Sequence, residues 1–296
     1  MITDMEKRMV SIAAPRQTFR SLAWKRFSKH RLALAGTVIM IMMILMALFA
    51  PWLAPHDPNQ IDILSAREGP GGAHILGCDV IGRDVLSRLI YGSRVSLSVG
   101  LVAVAIYVSI GMVLGVLAGY FGGWIDTVIS RLIDAILSFP VLILILVIVG
   151  MLGPSVFNIM LVLGFLGWPE VARIVRAQTL SVREDLYVLS GKAVGAGSTH
   201  IIMTDIFPNI MSPIIVNATF GVARSILIEA GLSFLGMGVQ PPASSWGNML
   251  NDAQSLSILE SMHWMWIPPG LMIFFATISI NFIGDGLRDA LDPKLN

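Results

Sequence analysis

The stretch LALAGTVIMIMMILMALFAPWLAP, residues 32–55, contains no charged residue and decides the class of fold. A helix of about 20 mainly apolar residues crosses a bilayer core of roughly 30 Å, so this stretch predicts a transmembrane helix. The rest of the chain has the same character, since 55% of its residues are hydrophobic and 13% are charged. Ordinary soluble domains contain about 25% charged residues, and the mean hydropathy here is +0.77. We therefore expect an all-α integral membrane protein.

Five further transmembrane helices are predicted from uncharged runs. Residues 95–125 carry no charge and give the second helix. Residues 135–169 are also uncharged but too long for one helix, and the turn sequence GMLGPS at 150–155 divides them into the third and the fourth. The fifth covers about 212–237 and the sixth about 264–284. The expected fold is a bundle of six transmembrane helices.

The positions of Lys and Arg predict the orientation, because short cytoplasmic segments are enriched in these residues. The basic residues before the first span are Lys7, Arg8, Arg16, Arg20, Lys25, Arg26, Lys29 and Arg31. Residues 238–263 contain neither Lys nor Arg and are placed outside. Residues 56–94 are also placed outside, although they contain Arg67, Arg83, Arg88 and Arg94. Both chain termini are therefore expected in the cytoplasm.

These assignments divide the chain into five parts. In order, they are a cytoplasmic tail (1–31), the first transmembrane helix (32–55), an extracytoplasmic loop (56–94), a five-helix core (95–286) and a cytoplasmic tail (287–296). The core includes a polar cytoplasmic segment at 183–209 and an external loop at 238–263. In the first tail, the sequence QTFRSLAWKRFSKHR sets Phe19, Leu22, Ala23 and Phe27 on one side of a helix, which predicts an interfacial helix.

The polar segment contains SGKAVGAGSTHIIMTDIFPNI, residues 190–210, between two strongly apolar regions. We expect two short helices here, separated by a turn at 195–197, because glycine permits the backbone angles of a sharp turn. Ser198 or Thr199 is the expected N-cap of the second helix, and Pro208 its expected end. Periodicity alone does not separate this helix–turn–helix from an ordinary loop joining two spans.

Four parts of the sequence together resemble one known family. The spacing of Gly195, Ala196 and Pro208 between the fourth and fifth spans resembles the cytoplasmic coupling loop of ABC-type importer permeases. LGCDVIGRDVLSRLIYGSRVSL (76–97), LSFLGMGVQPPASSWGNML (232–250) and NFIGDGLRDALDPKLN (281–296) resemble the C-type, DppC/OppC-like permease subunits of dipeptide, oligopeptide and nickel importers. Within the first motif the residues singled out are Gly77, Asp79, Gly82, Arg83, Asp84 and Arg88, while Cys78 stands where Thr is usual.

The resemblance implies that the polar segment transmits movement from an ATPase subunit. The residues assigned to this coupling loop are Leu189, Ser190, Gly191, Gly195, Ala196, Gly197, Ser198, Asp205 and Pro208. Leu189, Ser190 and Gly191 replace the family's usual Glu-Ala-Ala, which leaves open the residues that contact the ATPase. The implied fold is that of type I importer permeases, in the plasma (inner) membrane of a prokaryote.

The resemblance also implies partners. They are a homologous DppB/OppB-like permease subunit, two ABC ATPase subunits that bind ATP and Mg, an extracytoplasmic solute-binding protein and the lipid bilayer. The chain itself is expected to bind no cofactor. Residues 56–94 and 238–263 are expected to form the face on which the solute-binding protein docks, or to pack against the sister permease.

No catalytic constellation or nucleic-acid-binding surface is expected. The GKA sequence at 191–193 has no glycine five residues before Gly191 and no Ser or Thr after Lys192, so the segment is not a phosphate loop. The net charge of +1 gives no basic surface for nucleic acid. The histidines are dispersed along the sequence, so no metal site is expected; they are His30, His56, His74, His200 and His263.

Polar residues within the spans are candidates for the substrate path. They are Asn217, Arg224, Glu229 and Asn281. The alternative for Arg224 and Glu229 is that they pair with another span and hold the bundle together. A structural group of salt bridges is expected at the ends of the third and fourth spans, from Asp126, Arg131, Asp134, Glu170 and Arg173.

The expected function is that of a permease subunit for di- or oligopeptides in an ATP-driven importer. Nickel, glutathione or another small solute is the alternative substrate of the same machinery. A self-sufficient secondary transporter or channel is a different class of function, but such proteins often contain inverted repeats, and the sequence shows no convincing repeat. A non-transporting membrane scaffold is the third alternative.

Overall fold

A computed structural model describes residues 19–291, with side-chain environments from Ala23 onward. All regular elements of this described part are helices, which confirms the predicted all-α class. The basic residues Lys7, Arg8 and Arg16 and the last part of the C-terminal tail, 292–296, lie outside it.

Thirteen α-helices follow one another in the described chain. They are α1 Phe19–Phe27, α2 Arg31–Leu48, α3 Ala50–Leu53, α4 Val85–Phe121, α5 Gly123–Leu137, α6 Val141–Leu152, α7 Val156–Val182, α8 Leu186–Ala193, α9 Ser198–Ile201, α10 Phe207–Phe234, α11 Trp246–Asn251, α12 Leu256–Ser261 and α13 His263–Leu291. Short 3-10 helices cover Ile63–Ser65 and Asp252–Gln254, and a π-helical turn covers Ile202–Ile206.

Five stretches are long and apolar enough to cross a membrane unbroken: α2, α4, α7, the continuous helix Ser198–Phe234, and α13. Helices α5 and α6 meet the same test only as a pair, and they bend by 83° at the break between them. The predicted number of six is reached when this bent pair counts as one span. Pro140 is the N-cap of α6. A proline has no backbone N–H and cannot continue the hydrogen bonds of a preceding helix, so Pro140 helps to separate α5 from α6.

The second predicted span begins earlier than the sequence indicated. Its helix, α4, starts at Val85 rather than near residue 95. Asp84 caps it, since one carboxylate oxygen accepts hydrogen bonds from both the backbone N–H and the hydroxyl of Ser87, each at 2.7 Å. Its 37 residues span about 55 Å at 1.5 Å per residue, more than a bilayer core requires. The sequence GRDVLSR therefore begins a spanning helix and does not form a separate surface helix.

The polar segment also differs from expectation. Pro208 does not end a helix, because α9, the π-helical turn and α10 run continuously from Ser198 to Phe234. Pro208 lies in the first turn of α10, where a missing N–H is tolerated most easily. The N-cap is Gly197 rather than Ser198 or Thr199, and it provides no side-chain cap.

Close glycine contacts join α4 to α7. Gly111, Gly115 and Gly119 lie one helical turn apart on α4, and a Cβ atom added at Gly115 would stand 2.6 Å from Cβ of Val175. The corresponding distances are 2.7 Å from Gly111 to Val171 and from Gly119 to Thr179. Small residues let helix backbones approach closely in membranes. This pair of helices is the centre of the bundle, and the substrate-path candidates lie beside it.

A helix, α1, is present where the sequence predicts an interfacial helix, and its location at a membrane surface stays a prediction. The ring of Phe27 packs at Gly286 of α13, where an added Cβ atom would approach it to 3.2 Å. Trp24 is 71% exposed. The side chains of Phe19 and Leu22 lie outside the described part.

Candidate functional site

A cleft opens between α4, α6, α7 and α10. Its cavity volume is about 130 Å³, and most of its walls are apolar, including Val141, Ile145 and Phe220. The polar groups that face it are Tyr107 of α4, Glu170 of α7, and Asn217, Arg224 and the buried Ser225 of α10. A few polar groups in an otherwise apolar pocket are typical of small-molecule sites. We call this the charged cleft.

An ion pair crosses the charged cleft. Nη1 of Arg224 donates to Oε2 of Glu170 at 2.5 Å. Both side chains remain about half exposed, at 57% and 47%. Because water and a ligand can reach both charges, this pair differs from an ion pair sealed within a helix bundle. It offers one cationic and one anionic partner to a solute that carries both signs of charge.

The structure separates the four residues proposed for the path. Asn217 and Arg224 line the charged cleft, but Glu229 does not. Glu229 is fully buried, and its two carboxylate oxygens accept hydrogen bonds from the hydroxyls of Ser233, at 2.7 Å, and Ser96, at 3.1 Å. Asn281 lies exposed on α13 and does not line the cleft.

The contacts of Glu229 place it in a network at the end of the bundle where α4 begins and α10 ends. Ser96 Oγ also accepts a hydrogen bond from the backbone N–H of Trp246, and Ser233 Oγ accepts one from that of Val239. The carboxylate therefore connects α4 and α10 to the chain that follows α10. Of the two alternatives for this residue, these contacts favour the one in which it holds the bundle together.

Glu170 and Tyr107 line the charged cleft but were not among the path candidates. Glu170 was grouped with charges at the span ends, and that group is only partly formed: Arg173 reaches Asp134 at 3.4 Å, but Asp126 pairs with Arg176 at 2.5 Å. In the sequence, nothing marked Tyr107 as a cleft residue except that it is a polar residue within an uncharged run. The signal that was available is the position of Glu170 directly after Pro169, inside helix α7.

The segment 183–209 projects from the bundle and is anchored by an apolar face. Val188 of α8, together with Ile201 and Ile206, is fully buried in the core that includes α5 and α7. Leu186 and Val194 point the other way and are 79% and 85% exposed. We call the outer surface, formed by Leu186, Leu189, Val194 and Met203, the apolar knob.

The residues proposed for this segment have distinct local roles. Gly195 has φ +85°, a backbone conformation that suits glycine, and the N–H of Ala196 donates to the carbonyl of Gly191 at 3.0 Å. Ser190 donates its hydroxyl to the carbonyl of Leu186, and the carbonyl of Asp205 accepts from the side chain of Asn209. Of the remaining assigned residues, Leu189, Gly197, Ser198 and Pro208 are exposed and Gly191 is half-buried.

The motif at 76–97 forms a buried charge network at the start of α4. Asp79 accepts hydrogen bonds from the side chains of Arg83, at 2.6 Å, and Arg88. Burial raises the pKa of Asp79, but the charge of Arg88 and the hydrogen bonds and charge of Arg83 lower it more, so its pKa lies below the ordinary value. Burial raises the pKa of the neighbouring Asp252.

Two glycines of the same motif are required by its turns. Gly77 and Gly82 have φ angles of +72° and +86°. A Cβ atom at Gly77 would lie 2.6 Å from the carbonyl oxygen of Glu68, and one at Gly82 would collide with the carbonyl of Asp62. In this chain the motif folds the external segment onto the start of α4.

The histidines are less dispersed than the sequence indicated. His56 and His74 both converge on Asp84, the N-cap residue of α4. The ligand atoms of these three residues lie within 4.8 Å of one another. Among the described residues, this is the one group of His, Cys, Asp and Glu side chains arranged closely enough to hold a metal ion.

Comparison with known proteins gives two family matches. Residues 111–296 match the family described as the binding-protein-dependent transport system inner membrane component. Residues 18–70 match the N-terminal transmembrane domain of oligopeptide transport permease C.

Similar proteins extend over nearly the whole chain. The dipeptide transport system permease protein DppC of Escherichia coli K12 is 43% identical over 296 residues, covering 98% of each chain. The di/tripeptide transport system permease protein DppC of Pseudomonas aeruginosa is 41% identical over 278 residues, covering 92% of this chain and 91% of that one. A putative peptide permease protein of Brucella ovis is 40% identical over 269 residues, covering 91% and 89%.

Proposed function

This chain belongs to the family of binding-protein-dependent transport system inner membrane components, as a permease subunit of an ATP-driven importer, and we propose that its substrates are di- or oligopeptides. The observation that carries the proposal is its identity of 41–43%, over nearly the full length, to permeases named for dipeptides and di/tripeptides. It is a multi-pass protein of an inner-membrane transport system. We propose that both termini face the cytoplasm, on the basis of the Lys and Arg distribution.

We propose that the working importer contains four kinds of subunit. This chain pairs with a homologous permease to enclose one path, two ATPase subunits bind ATP and Mg on the cytoplasmic side, and a solute-binding protein delivers the peptide from outside. ATP hydrolysis belongs to the ATPase subunits, and this chain supplies the path and the mechanical coupling.

We propose that the charged cleft is this chain's half of the path. A peptide at neutral pH carries an ammonium group at one end and a carboxylate at the other. Glu170 suits the first group and Arg224 the second, and both are accessible. Asn217 and the hydroxyl of Tyr107 line the same walls and provide hydrogen bonds to the peptide unit. The apolar remainder accommodates side chains of different kinds.

In the resting state the two charges neutralise each other. A passing peptide exchanges that pair for two new pairs of similar energy, so each terminus is bound without being trapped. Exposed ion pairs contribute only about 0.2–1 kcal/mol, which is small enough to be exchanged at each transport cycle. This weak, reversible recognition suits a path better than a storage site.

The apolar knob is proposed as the surface that docks on an ATPase subunit. Its exposed Leu186 and Val194 give the partner apolar area to bury, while Val188, Ile201 and Ile206 fix the segment to the bundle from below. Ser198–Phe234 is continuous, so the helix that carries the knob's second half also carries Asn217 and Arg224. A displacement of the knob is therefore delivered to the cleft along one helix, as packed elements move as units.

On the external side, exposed apolar residues mark a second proposed docking surface. Ile63 and Leu64 of the 3-10 turn are 80% and 98% exposed, and Ile61 and Ile75 are also exposed. We propose that the solute-binding protein contacts this surface. The sister permease is the alternative partner for the same residues.

Reconstitution tests the proposed function directly. The chain is co-expressed with the sister permease and the ATPase subunits, placed in proteoliposomes, and supplied with the binding protein and a labelled dipeptide. Uptake that requires ATP, and that is competed by unlabelled dipeptides but not by nickel or glutathione, is the expected result. ATP-driven uptake of nickel or glutathione without dipeptide uptake would overturn the peptide proposal.

Coupling through the knob has its own measurement. A photo-crosslinker at Ala196 or Ser198 is expected to capture an ATPase subunit in a preparation that imports solute. If an actively importing preparation yields no such adduct from either position, the ATPase docks elsewhere.

A further inference from the structure

His56, His74 and Asp84 come from three separate segments and meet at one point on the external side. His56 follows the short helix after the first span, His74 lies in a tight turn, and Asp84 caps α4. Oδ1 of Asp84 lies 2.9 Å from Nδ1 of His74 and 3.7 Å from Nδ1 of His56. The two imidazole rings are in contact, tilted by 37° to each other, with their centroids 4.7 Å apart. Three atoms capable of ligation therefore point at a common space.

One of these atoms has no partner within the protein. Nδ1 of His56 is buried but makes no hydrogen bond, although it is 3.7 Å from the carboxylate. An unpaired buried polar group costs about 1–3 kcal/mol. His74 uses its Nδ1 with the same carboxylate oxygen, so a hydrogen bond to Asp84 is already made there. A cation placed between the three residues would give the orphaned nitrogen a partner.

We propose that His56, His74 and Asp84 form a resident binding site for a divalent transition metal, with Zn²⁺ as the ion that fits best. Two imidazoles and one carboxylate are ligands that Zn²⁺ prefers, at about 2.0–2.2 Å. Ligands at that distance around a tetrahedral ion stand roughly 3.4 Å apart. The two histidine-to-carboxylate separations of 2.9 and 3.7 Å bracket that value, and all three ligand atoms lie within 4.8 Å of one another, so shifts of about 1.5 Å or less are expected to close the site around an ion.

The surroundings provide the outer contacts that such sites use. The second carboxylate oxygen of Asp84 is held by the backbone N–H and the hydroxyl of Ser87, both at 2.7 Å, which leaves Oδ1 facing the histidines. Ser87 Oγ also accepts from the backbone N–H of His56 at 3.0 Å. The turn that carries His74 is closed by reciprocal backbone hydrogen bonds with Gly71. Outer contacts of this kind orient ligands and tune affinity.

An opening lies beside the site. His56 lines a cleft on the external side together with Asp57, Tyr91 and Arg94. Metal ions and water enter through this cleft, and a water molecule completes the fourth coordination position. Zn²⁺ bound here crosslinks three segments: the end of the first span, the 71–77 turn and the start of α4. It fixes the external layer in position and is distinct from the substrate path.

The test uses the full-length chain in detergent, with its affinity tag removed and its metals stripped by a chelator. Zn²⁺ is added in a competition titration, and thermal unfolding is followed with and without Zn²⁺. The variant is His56→Gln, because His56 is the most exposed of the three ligands and its side chain makes no hydrogen bond, so its loss leaves the helix cap intact. The matched control is His263→Gln, which alters a histidine outside the cluster at the start of α13.

The expected result is that wild type and His263→Gln bind Zn²⁺ with the same affinity, and that His56→Gln binds it at least tenfold more weakly. Zn²⁺ should raise the unfolding temperature of the first two proteins and leave that of His56→Gln nearly unchanged, since only a ligand of the folded state stabilises it. Each protein is compared with itself, so any effect of the substitution on folding cancels. Equal Zn²⁺ affinity in wild type and His56→Gln, or no binding by wild type, overturns the proposal. The result is independent of peptide transport.

Discussion

Arg224 on α10 donates a hydrogen bond of 2.5 Å to Glu170 on α7, across a cleft that leaves both side chains about half exposed. The pair lies fifty-four residues apart in sequence and links the helix of the apolar knob to the helix beside the central glycine contacts. This relationship makes the pair either a substrate contact or a brace between helices. The two roles have different consequences.

Neutralising either member is expected to slow peptide uptake. Arg224→Gln and Glu170→Gln should each lower the rate of dipeptide import by up to about fivefold, because an exposed charge contact contributes up to about 1 kcal/mol and 1.4 kcal/mol is tenfold. The measurement is initial uptake at saturating peptide in proteoliposomes. Asp134→Asn is the control, since Asp134 forms an exposed pair with Arg173 outside the cleft.

Exchanging the charges separates the two roles. The double variant Glu170→Arg with Arg224→Glu keeps an ion pair but reverses the field that a peptide meets. We expect its unfolding temperature to return to that of wild type while uptake stays low. Recovery of uptake in the double variant would show that the pair is only a brace.

The apolar knob is expected to respond differently on its two faces. Val194→Asp, at a position 85% exposed, should reduce co-purification of the ATPase subunits and ATP-driven uptake at least tenfold without changing the unfolding temperature. Val188→Asp places a charge at a fully buried position and should unfold the segment. Leu64→Asp, on the external side, is the control and should leave ATPase co-purification unchanged. Normal co-purification of the ATPase subunits with Val194→Asp would show that they dock on a different surface.

Glu229 is expected to matter for stability rather than for transport. Glu229→Ala removes the acceptor of two serine hydroxyls and should destabilise the bundle by about 1–3 kcal/mol. Glu229→Gln retains an oxygen acceptor and should be milder. The measurement is the unfolding temperature beside uptake per folded molecule. A large loss of uptake at unchanged stability would indicate that Glu229 takes part in the substrate path.

Gly115 of α4 and Gly270 of α13 give a pair of identical substitutions with different expected outcomes. Gly115→Ala adds a Cβ atom 2.6 Å from that of Val175 and should destabilise the protein by about 1–3 kcal/mol, because helices in contact cannot absorb an added methyl group. Gly270→Ala on α13 adds the same group where nothing lies within 4 Å and should be neutral or stabilising by up to about 1 kcal/mol. Thermal unfolding of the two variants under one condition is sufficient. Equal effects would contradict the close approach of α4 and α7.

The helical class, the number of spans and the family were predictable because apolar runs and spaced motifs are properties of the sequence itself. The residues at which the helices begin and end were not predictable in this way. Helix α4 begins early because Asp84 caps it. Pro208 lies within a helix because it follows a π-helical turn and occupies the first turn of α10, where a missing N–H is tolerated. Both effects depend on local hydrogen bonds that hydropathy does not report.

The candidate site was predictable only in part, for a similar reason. Arg224 and Asn217 stand out as polar residues in an apolar helix, whereas Glu170 is recognised as their neighbour only when α7 packs beside α10. His56 and His74 meet through a turn that brings separated positions together. The four-residue spacing of Gly111, Gly115 and Gly119 was a signal present in the sequence that indicated the α4–α7 contact.

Asp79 makes the external layer sensitive to acid. Its pKa is lower in the folded protein than the ordinary value, since the nearby Arg88 and Arg83 outweigh the effect of burial. A carboxyl group with a depressed folded-state pKa contributes stability above its unfolded pKa of about 3.9, and this contribution is lost as the pH falls through the lower folded value. The unfolding temperature of wild type should therefore drop below about pH 4.

Asp79→Asn isolates that contribution. At pH 7 it leaves Arg83 and Arg88 buried without their shared carboxylate, which should destabilise the protein by about 3–5 kcal/mol. Below about pH 4 the carboxyl of Asp79 is protonated in the unfolded wild-type chain, and its stabilising contribution falls until the folded-state carboxyl is protonated at its lower pKa, so the difference between the two proteins should shrink. Asp57→Asn, which changes an exposed carboxylate, is the control, and its unfolding temperature should depend on pH as that of wild type does. A constant difference in unfolding temperature from pH 7 down to acid would mean that the charge of Asp79 does not stabilise the external layer, and that its contribution comes from packing alone.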